Sequence, residues 1–344
     1  MKEAPGVTVP MTHKLNDGRD EPIIEPAIAI VDAHHHLFSR PALSYLMEEY
    51  LRDAGAGHHV VASVYVETRA FSWTSGPEVL RPLGEVEFAN GVGAVCDRGA
   101  VGTCRTCAAI VGYADMREGD GIAELLDRAL AIAPERFRGV RQPCLEPRDE
   151  AAYRYSSSPP PRGTLESPGF RAAFRHLATR GLTFDAAVLH HQLGQIASLA
   201  DSFPHTTIVL NHMGIAEGLG RDAAGRAEVL QEWRVALQDL ALRSNVMCKL
   251  GGLGMPFWGL GLEERAEPTG YLHLATAWRP YIQTAIEAFG VDRCMMASNY
   301  PVDGRACGFV PLWNALKHVV AGYSTTEKAA LFHGTAARVY RIRL

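Results

Sequence analysis

The sequence predicts an α/β fold, a single (β/α)8 barrel, on three observations. About eight short apolar runs alternate with helix-like stretches along most of the 344 residues. The first run, Ile28–His36, passes from β-branched residues straight into Asp32-Ala33-His34-His35-His36. Most runs also close on a polar residue of a kind that a buried strand does not need.

In chain order the strand-like runs are Ile28–His36, Val60–Thr68, Ala108–Met116, Phe137–Pro143, Gly181–Leu189, Thr206–Gly214, Asn245–Leu253 and Arg293–Pro301. Helical periodicity marks Gly121–Ala133, Arg171–Thr179, Leu193–Ser202, Ala224–Leu242, Ala275–Phe289 and Val310–Ala321. A last helix is expected over Thr325–Val339, with Ser324 or Thr325 as its cap and Glu327 in its first turn. Residues 1–27 form an N-terminal extension and residues 28–344 the barrel, with no linker and no internal repeat. Insertions interrupt the rhythm at 146–167, rich in Ser and Pro, and at 254–274, which carries Phe257-Trp258. In a barrel both overlie the C-terminal mouth, where active sites lie, so the second is expected to act as a lid. No Gly-rich phosphate loop follows any strand, which disfavours a doubly wound open sheet.

A net charge of −4 without a Lys/Arg block argues against nucleic acid as a partner. No apolar stretch reaches the about 20 residues of a membrane helix, and the polar N-terminus has no signal-peptide core. Seven scattered cysteines suit a reducing, cytoplasmic setting, and the solitary Cys104-Arg105-Thr106-Cys107 reads as structural.

Side chains alternate along a strand, so Asp32, His34 and His36 are expected on one face and His35 on the other. Two imidazoles two residues apart at a strand end reach one metal ion. The other strand ends supply Glu67, Arg141 with Gln142, His190-His191, Asn211-His212, Lys249 before Gly251-Gly252, and Asn299 with Asp303 just beyond. His191 and His205 read as surface residues. Asp185 and Lys249 lie within apolar strands and either join the site or pair with each other across the interior. Histidines from the first, fifth and sixth strands can hold a divalent ion and leave a position for water or a carbonyl oxygen. A nearby carboxylate can accept the water's proton, and the planar fork of Arg141 suits a substrate carboxylate or a developing oxyanion. No Gly-x-Ser-x-Gly elbow is present, which disfavours a serine nucleophile.

Val31-Asp32-Ala33-His34-His35-His36, Arg138-Gly139-Val140-Arg141, Leu182-Thr183-Phe184-Asp185, Leu210-Asn211-His212-Met213-Gly214, Lys249-Leu250-Gly251-Gly252 and Ser298-Asn299-Tyr300-Pro301-Val302 occur in that order. Together they resemble the motif series of the amidohydrolase-2 family, in the branch with the pyrone-dicarboxylate lactonase and fuconolactonase types. The resemblance spans Ile28 to Tyr340 and implies a distorted TIM barrel that hydrolyses a lactone. Related branches decarboxylate aromatic acids, and some use bound metals for oxygen chemistry. By position it implies His34, His36, His190 and His212 as metal ligands, and Arg141 as the substrate-carboxylate arginine. Asn299 departs from the series, where these enzymes usually present Asp, and an amide cannot take a proton from water. Asp303 is the expected replacement base, with Glu67 or Asp32 as alternatives.

The expectation is therefore a metal-dependent hydrolase acting on a lactone or related cyclic ester or amide of a small organic acid. It holds one divalent ion, zinc first, with iron, manganese or a metal-free mechanism as alternatives. His212, Arg141, Asn299 and Asp303 are the catalytic candidates; Arg141, Glu67 and Trp258 are the substrate contacts. The competing readings are a metal-dependent decarboxylase or oxygenase, or a weakened subunit supporting a homologous partner; a homo-oligomer is also compatible.

Overall fold

Eight parallel strands form one sheet whose spatial order follows the chain. They are β1 (Ala29–His35), β2 (His59–Val66), β3 (Arg105–Tyr113), β4 (Phe137–Pro143), β5 (Thr183–Ala187), β6 (Ile208–Leu210), β7 (Val246–Leu250) and β8 (Cys294–Met296). This is a computed structural model, described over residues 21–40, 43–99, 102–156, 159–265 and 269–344. Each expected run overlaps one of these strands; β2 starts one residue before its run and β3 three residues before its run. Most of the extension at 1–27 and parts of both insertions (157–158, 266–268) lie outside the described residues.

The barrel closes where the chain beyond β8 meets β1: Asn299 N–H donates to His34 C=O (2.8 Å) and His36 N–H to Tyr300 C=O (2.7 Å). Alternation sorts the side chains as parallel β/α packing requires. Val31, Ala33, Ala62, Val64, Val66, Val111, Val209, Met247 and Met295 fill the interior. Ile30, Tyr65, Ile110, Val140 and Phe184 face the helical layer.

That layer is α1 (Met47–Ala54), α2 (Leu83–Cys96), α3 (Ala123–Ile132), α4 (Pro168–Ala178), α5 (Leu193–Ser202), α6 (Ala223–Ala241), α7 (Tyr271–Phe289) and α8 (Phe309–Val319). The first two were not anticipated; α2, with Gly84, Gly91 and Gly93 among its residues, carries no clear apolar stripe. α7 begins at Tyr271, four residues before the expected start. The tail is not one helix: α9 (Thr325–Ala329) and α10 (Thr335–Val339) flank a π turn at Ala330–Gly334. Ser324 is its cap, in a reciprocal box with Glu327.

The two insertions meet over the mouth, where Tyr155 of the first stacks edge-on against Phe257 of the second at 6.2 Å. Among the described residues no helix is long and apolar enough to cross a membrane.

Candidate active site

The strands end early where the chemistry begins. β6 stops at Leu210 because His212 and Met213 take left-handed φ values of 52° and 56°, and Asn299 beyond β8 does the same at 53°. Such backbone is uncommon outside glycine and concentrates at functional sites. It swings the imidazole of His212 and the amide of Asn299 out of the ladder.

β1 carries a bulge between Asp32 and His35: Asp32 pairs with Ser63, yet His35 already pairs with Tyr65. The extra residue corrects the expected face. His34 and His36 share one side, but Asp32 turns with His35 toward Tyr50, which stacks on the His35 ring at 4.1 Å. The Asp32 carboxylate accepts from Ser298 N–H (2.8 Å), Ser298 Oγ (2.6 Å), Tyr50 OH (3.1 Å) and His34 N–H (3.3 Å). Asp32 thus clamps β8 to β1 behind the histidines. Its base role is lost to this network.

His34 Nε2 and His36 Nε2 stand 3.1 Å apart. The partners assign the tautomers. His36 Nδ1 faces the Val66 carbonyl at 2.8 Å, so it carries the hydrogen and Nε2 the lone pair. His34 Nε2 faces Arg141 Nη1 at 3.3 Å, and a guanidinium only donates, so this nitrogen also carries a lone pair. The second nitrogen of His34 is left buried without a partner. Burial, reinforced by neighbouring cations, drives both rings well below the usual histidine range, so they stay neutral. Two lone pairs aimed at one point repel unless a cation lies between them. Two nitrogens bound to one tetrahedral zinc lie about 3.3 Å apart. The spacing fits two nitrogens on one divalent ion, which would take the His34 lone pair in place of the Arg141 contact.

His212 stands beside them, its ring 4.5 Å from that of His34 and its Nδ1 on the Gly251 carbonyl at 3.2 Å. Burial, with Arg141 and Lys249 nearby, pushes it down to about 3. His190 is not brought to this group. It begins the turn after β5, and its ring bonds Glu232 on α6 (3.3 Å) and the Glu217 N–H (3.2 Å). Among the described residues no three His, Cys, Asp or Glu side chains are disposed to hold an ion together. The four-histidine arrangement is therefore not assembled, whereas the first-strand pair is.

Arg141 is not free to clamp a substrate carboxylate. Its Nε donates to Glu67 Oε1 and its Nη2 to the Glu67 carbonyl, both at 2.8 Å. Glu67 is thereby committed as well. Trp258 is also corrected: it is 1% exposed, packs on Trp233 and Tyr281, and donates to the Gly252 carbonyl at 2.9 Å. It supports the loop after β7 from behind. Lys249 and Asp185 pair at 2.7 Å with both side chains fully buried, so the across-barrel pairing holds. Cys104 and Cys107 are buried, and burial pushes Cys104 up to about 12 and Cys107 well above the usual thiol range.

Asp303 lies just past β8, where one oxygen accepts from Asn299 Nδ2 (2.8 Å) and the other from Gly254 N–H (3.0 Å). Burial pushes its carboxyl up to about 7, against those hydrogen bonds. The folded chain then holds this proton more tightly than the unfolded chain. Asp303 therefore lowers stability progressively as pH rises from about 4 to about 7. Asp303→Asn is uncharged at every pH. It carries a pH-independent cost for the donor that an amide nitrogen cannot accept, and against that offset gains on the parent by roughly 1.4 kcal/mol per pH unit from about pH 4 to neutrality. Urea unfolding across that range reads the difference, and a pH-independent gap would contradict the raised value.

Residues 31–342 match a family model described as amidohydrolase. The chain is 34% identical over 337 residues to the uncharacterised protein y4mH of Sinorhizobium fredii, covering 92% of this chain and 99% of that one. It is 26% identical over 330 residues to an L-fucono-1,5-lactonase of Burkholderia multivorans, covering 91% and 96%. In fold it is similar to the crystal structure of an amidohydrolase from Burkholderia multivorans with bound zinc, at a TM-score of 0.67, 22% identity, and coverage of 92% and 100%. With the family model matched along almost its whole length, the chain belongs to the amidohydrolase family.

Proposed function

We propose that this enzyme is a metal-dependent hydrolase that opens a lactone or related cyclic ester of a small organic acid. The observation that carries the reading is the convergence of the His34 and His36 Nε2 atoms, 3.1 Å apart, with His36 fixed from behind by the Val66 carbonyl and the His34 lone pair turned toward the Arg141 guanidinium. The similarity to an L-fucono-1,5-lactonase supports the lactone class. A divalent ion, zinc first, would supply Lewis-acid polarisation of the ester carbonyl and a bound water acidic enough to react near neutrality.

The chain's own groups do the rest. Arg141, held by its ion pair with Glu67, keeps Nη1 as a hydrogen-bond donor on the His34 side, where an oxyanion develops. His212, neutral and with Nδ1 held by the Gly251 carbonyl, offers Nε2 as an acceptor beside His34. Asn299 gives its amide hydrogen to Asp303, so its Oδ1 is left as a neutral acceptor. Asp303 takes the proton-accepting role because its affinity for a proton lies near neutrality, the range that general-base work demands. In that role its carboxylate exchanges Asn299 for water.

The test is elemental analysis of the natively purified enzyme and of His34→Ala/His36→Ala, with L-fucono-1,5-lactone as the first substrate probe. The expected result is about one divalent ion per chain, absent from the variant, and turnover down by at least about a hundredfold. A parent enzyme without metal, or a variant that keeps it, overturns the metal assignment. The Arg141 guanidinium beside His34 Nε2 supports one second reading, in which that fixed cation polarises the carbonyl without a metal. Chelator-treated enzyme at full activity would select it.

A further inference from the structure

Once Arg141 is committed to Glu67, the mouth needs another group if the substrate carries a charge. Arg305 ends the turn Val302–Arg305 that follows β8, on the same rim as Asn299 and Asp303. Its Nε is fully buried with no hydrogen-bond partner, and it is the one cationic nitrogen in that condition among the described residues. Three other half-buried arginines are occupied: Arg40 on the Thr68 carbonyl, Arg138 on the Tyr340 and Pro134 carbonyls, and Arg293 on the carbonyls of Phe289 and Ala241. A buried donor left without a partner costs stability and calls for an explanation.

Its neighbours place it where the long connections meet. The Tyr155 phenol of the first insertion and the carboxyl groups of Glu263 in the second and Asp303 in its own turn are its electrostatic neighbours. The Gly254 N–H bond to Asp303 ties the second insertion to this turn, and the Tyr155–Phe257 contact ties the first insertion to the second. Both insertions therefore border the guanidinium.

We propose that Arg305 is a substrate-docking residue that receives a carboxylate borne on the lactone at a distance from the scissile carbonyl. A planar guanidinium matches a carboxylate edge to edge, and its unpaired donor then gains the bond that the free protein lacks. The inference deepens the lactone reading and rests on it for the reaction that the docked group serves; the binding itself does not depend on turnover.

Calorimetric titration with glutarate and with its neutral isostere glutaramide tests it on the parent, Arg305→Gln and Arg305→Lys. Glutarate is expected to bind the parent at least about tenfold more tightly than glutaramide. Arg305→Gln loses that preference and Arg305→Lys keeps part of it. Arg305→Gln is also expected to melt close to the parent, because the buried Nε–H has no hydrogen bond to lose. Equal binding of the two probes to the parent, an unchanged preference in Arg305→Gln, or a large fall in its melting temperature overturns the proposal. His34→Ala/His36→Ala keeps the glutarate preference, so failure of the lactone reading leaves a different record from failure of the docking site.

Discussion

Lys249→Met is expected to destabilise the protein by about 3–5 kcal/mol, because it strands a buried carboxylate. The Lys249 ammonium sits 2.7 Å from Asp185 Oδ2 with neither side chain exposed. Asp185 also accepts from Asn211 Nδ2 (2.9 Å) and from the Tyr340 hydroxyl (3.0 Å to Oδ1). Burial pulls the lysine below its usual range, and Asp185 acts against that pull. The pair is thus held by mutual compensation inside the barrel, with Tyr340 of the C-terminal segment closing over it. Removing the cation alone leaves the desolvation cost of Asp185 unopposed. Lys249→Met/Asp185→Asn removes both charges and keeps acceptors for Tyr340, so it is expected to recover most of the loss. Urea unfolding of the two single variants and the double gives the coupling energy directly. If the double variant is no more stable than Lys249→Met, the pairing is not what stabilises this layer.

That pair was legible in the sequence because two ionisable residues inside apolar strands have few other solutions. The eight strands were legible for a similar reason: parallel β/α packing buries both faces, and the composition of each run records it. The residues that carry chemistry were harder, and each miss has a physical cause. Period-two reasoning placed Asp32 with His34 and His36, but one bulged residue shifts the parity, and no local signal announces a bulge in a run of small and polar residues. Arg141 and Glu67 were each read as substrate contacts; only the barrel shows that they lie within 2.8 Å of each other. Trp258 looked like a lid aromatic from its loop, whereas the indole turns inward onto Trp233 and Tyr281. His190 sits at the expected strand end, yet the turn that starts α5 aims its ring at α6. Asp303, the proposed base, was reachable because Asn299 stood where the family resemblance implies a carboxylate and the next acidic residue lay four positions on. Arg305, two residues further, has no sequence signal at all. Its distinction is a missing partner, which exists only in three dimensions.

The Gly251-Gly252 pair was read as the end of β7, and the structure gives the second glycine a sharper duty. Gly252 takes φ +75°, and a Cβ there would lie 2.3 Å from His212 Nδ1, 2.5 Å from Cγ and 2.9 Å from Cε1. The ring and the loop after β7 are packed backbone against imidazole, with Trp258 Nε1–H on the Gly252 carbonyl fixing the loop from the other side. Gly252→Ala is therefore expected to drive the His212 ring off its Gly251 bond. The cost has two parts: about 1–2 kcal/mol for a left-handed residue with a side chain, and a comparable amount for the overlap. Loss of turnover by about a hundredfold should accompany it, since a displacement of about 1 Å at a positioned group has that effect. The two parts separate in a His212→Ala background. With the ring gone the overlap vanishes, so Gly252→Ala should cost only the backbone part there, and the turnover already lost through His212→Ala should fall little further. Equal stability costs in the two backgrounds would mean that Gly252 serves the loop alone. A smaller cost without the ring makes the glycine the feature that lets an imidazole lie flat against the β7 loop, within reach of the His34 and His36 pair.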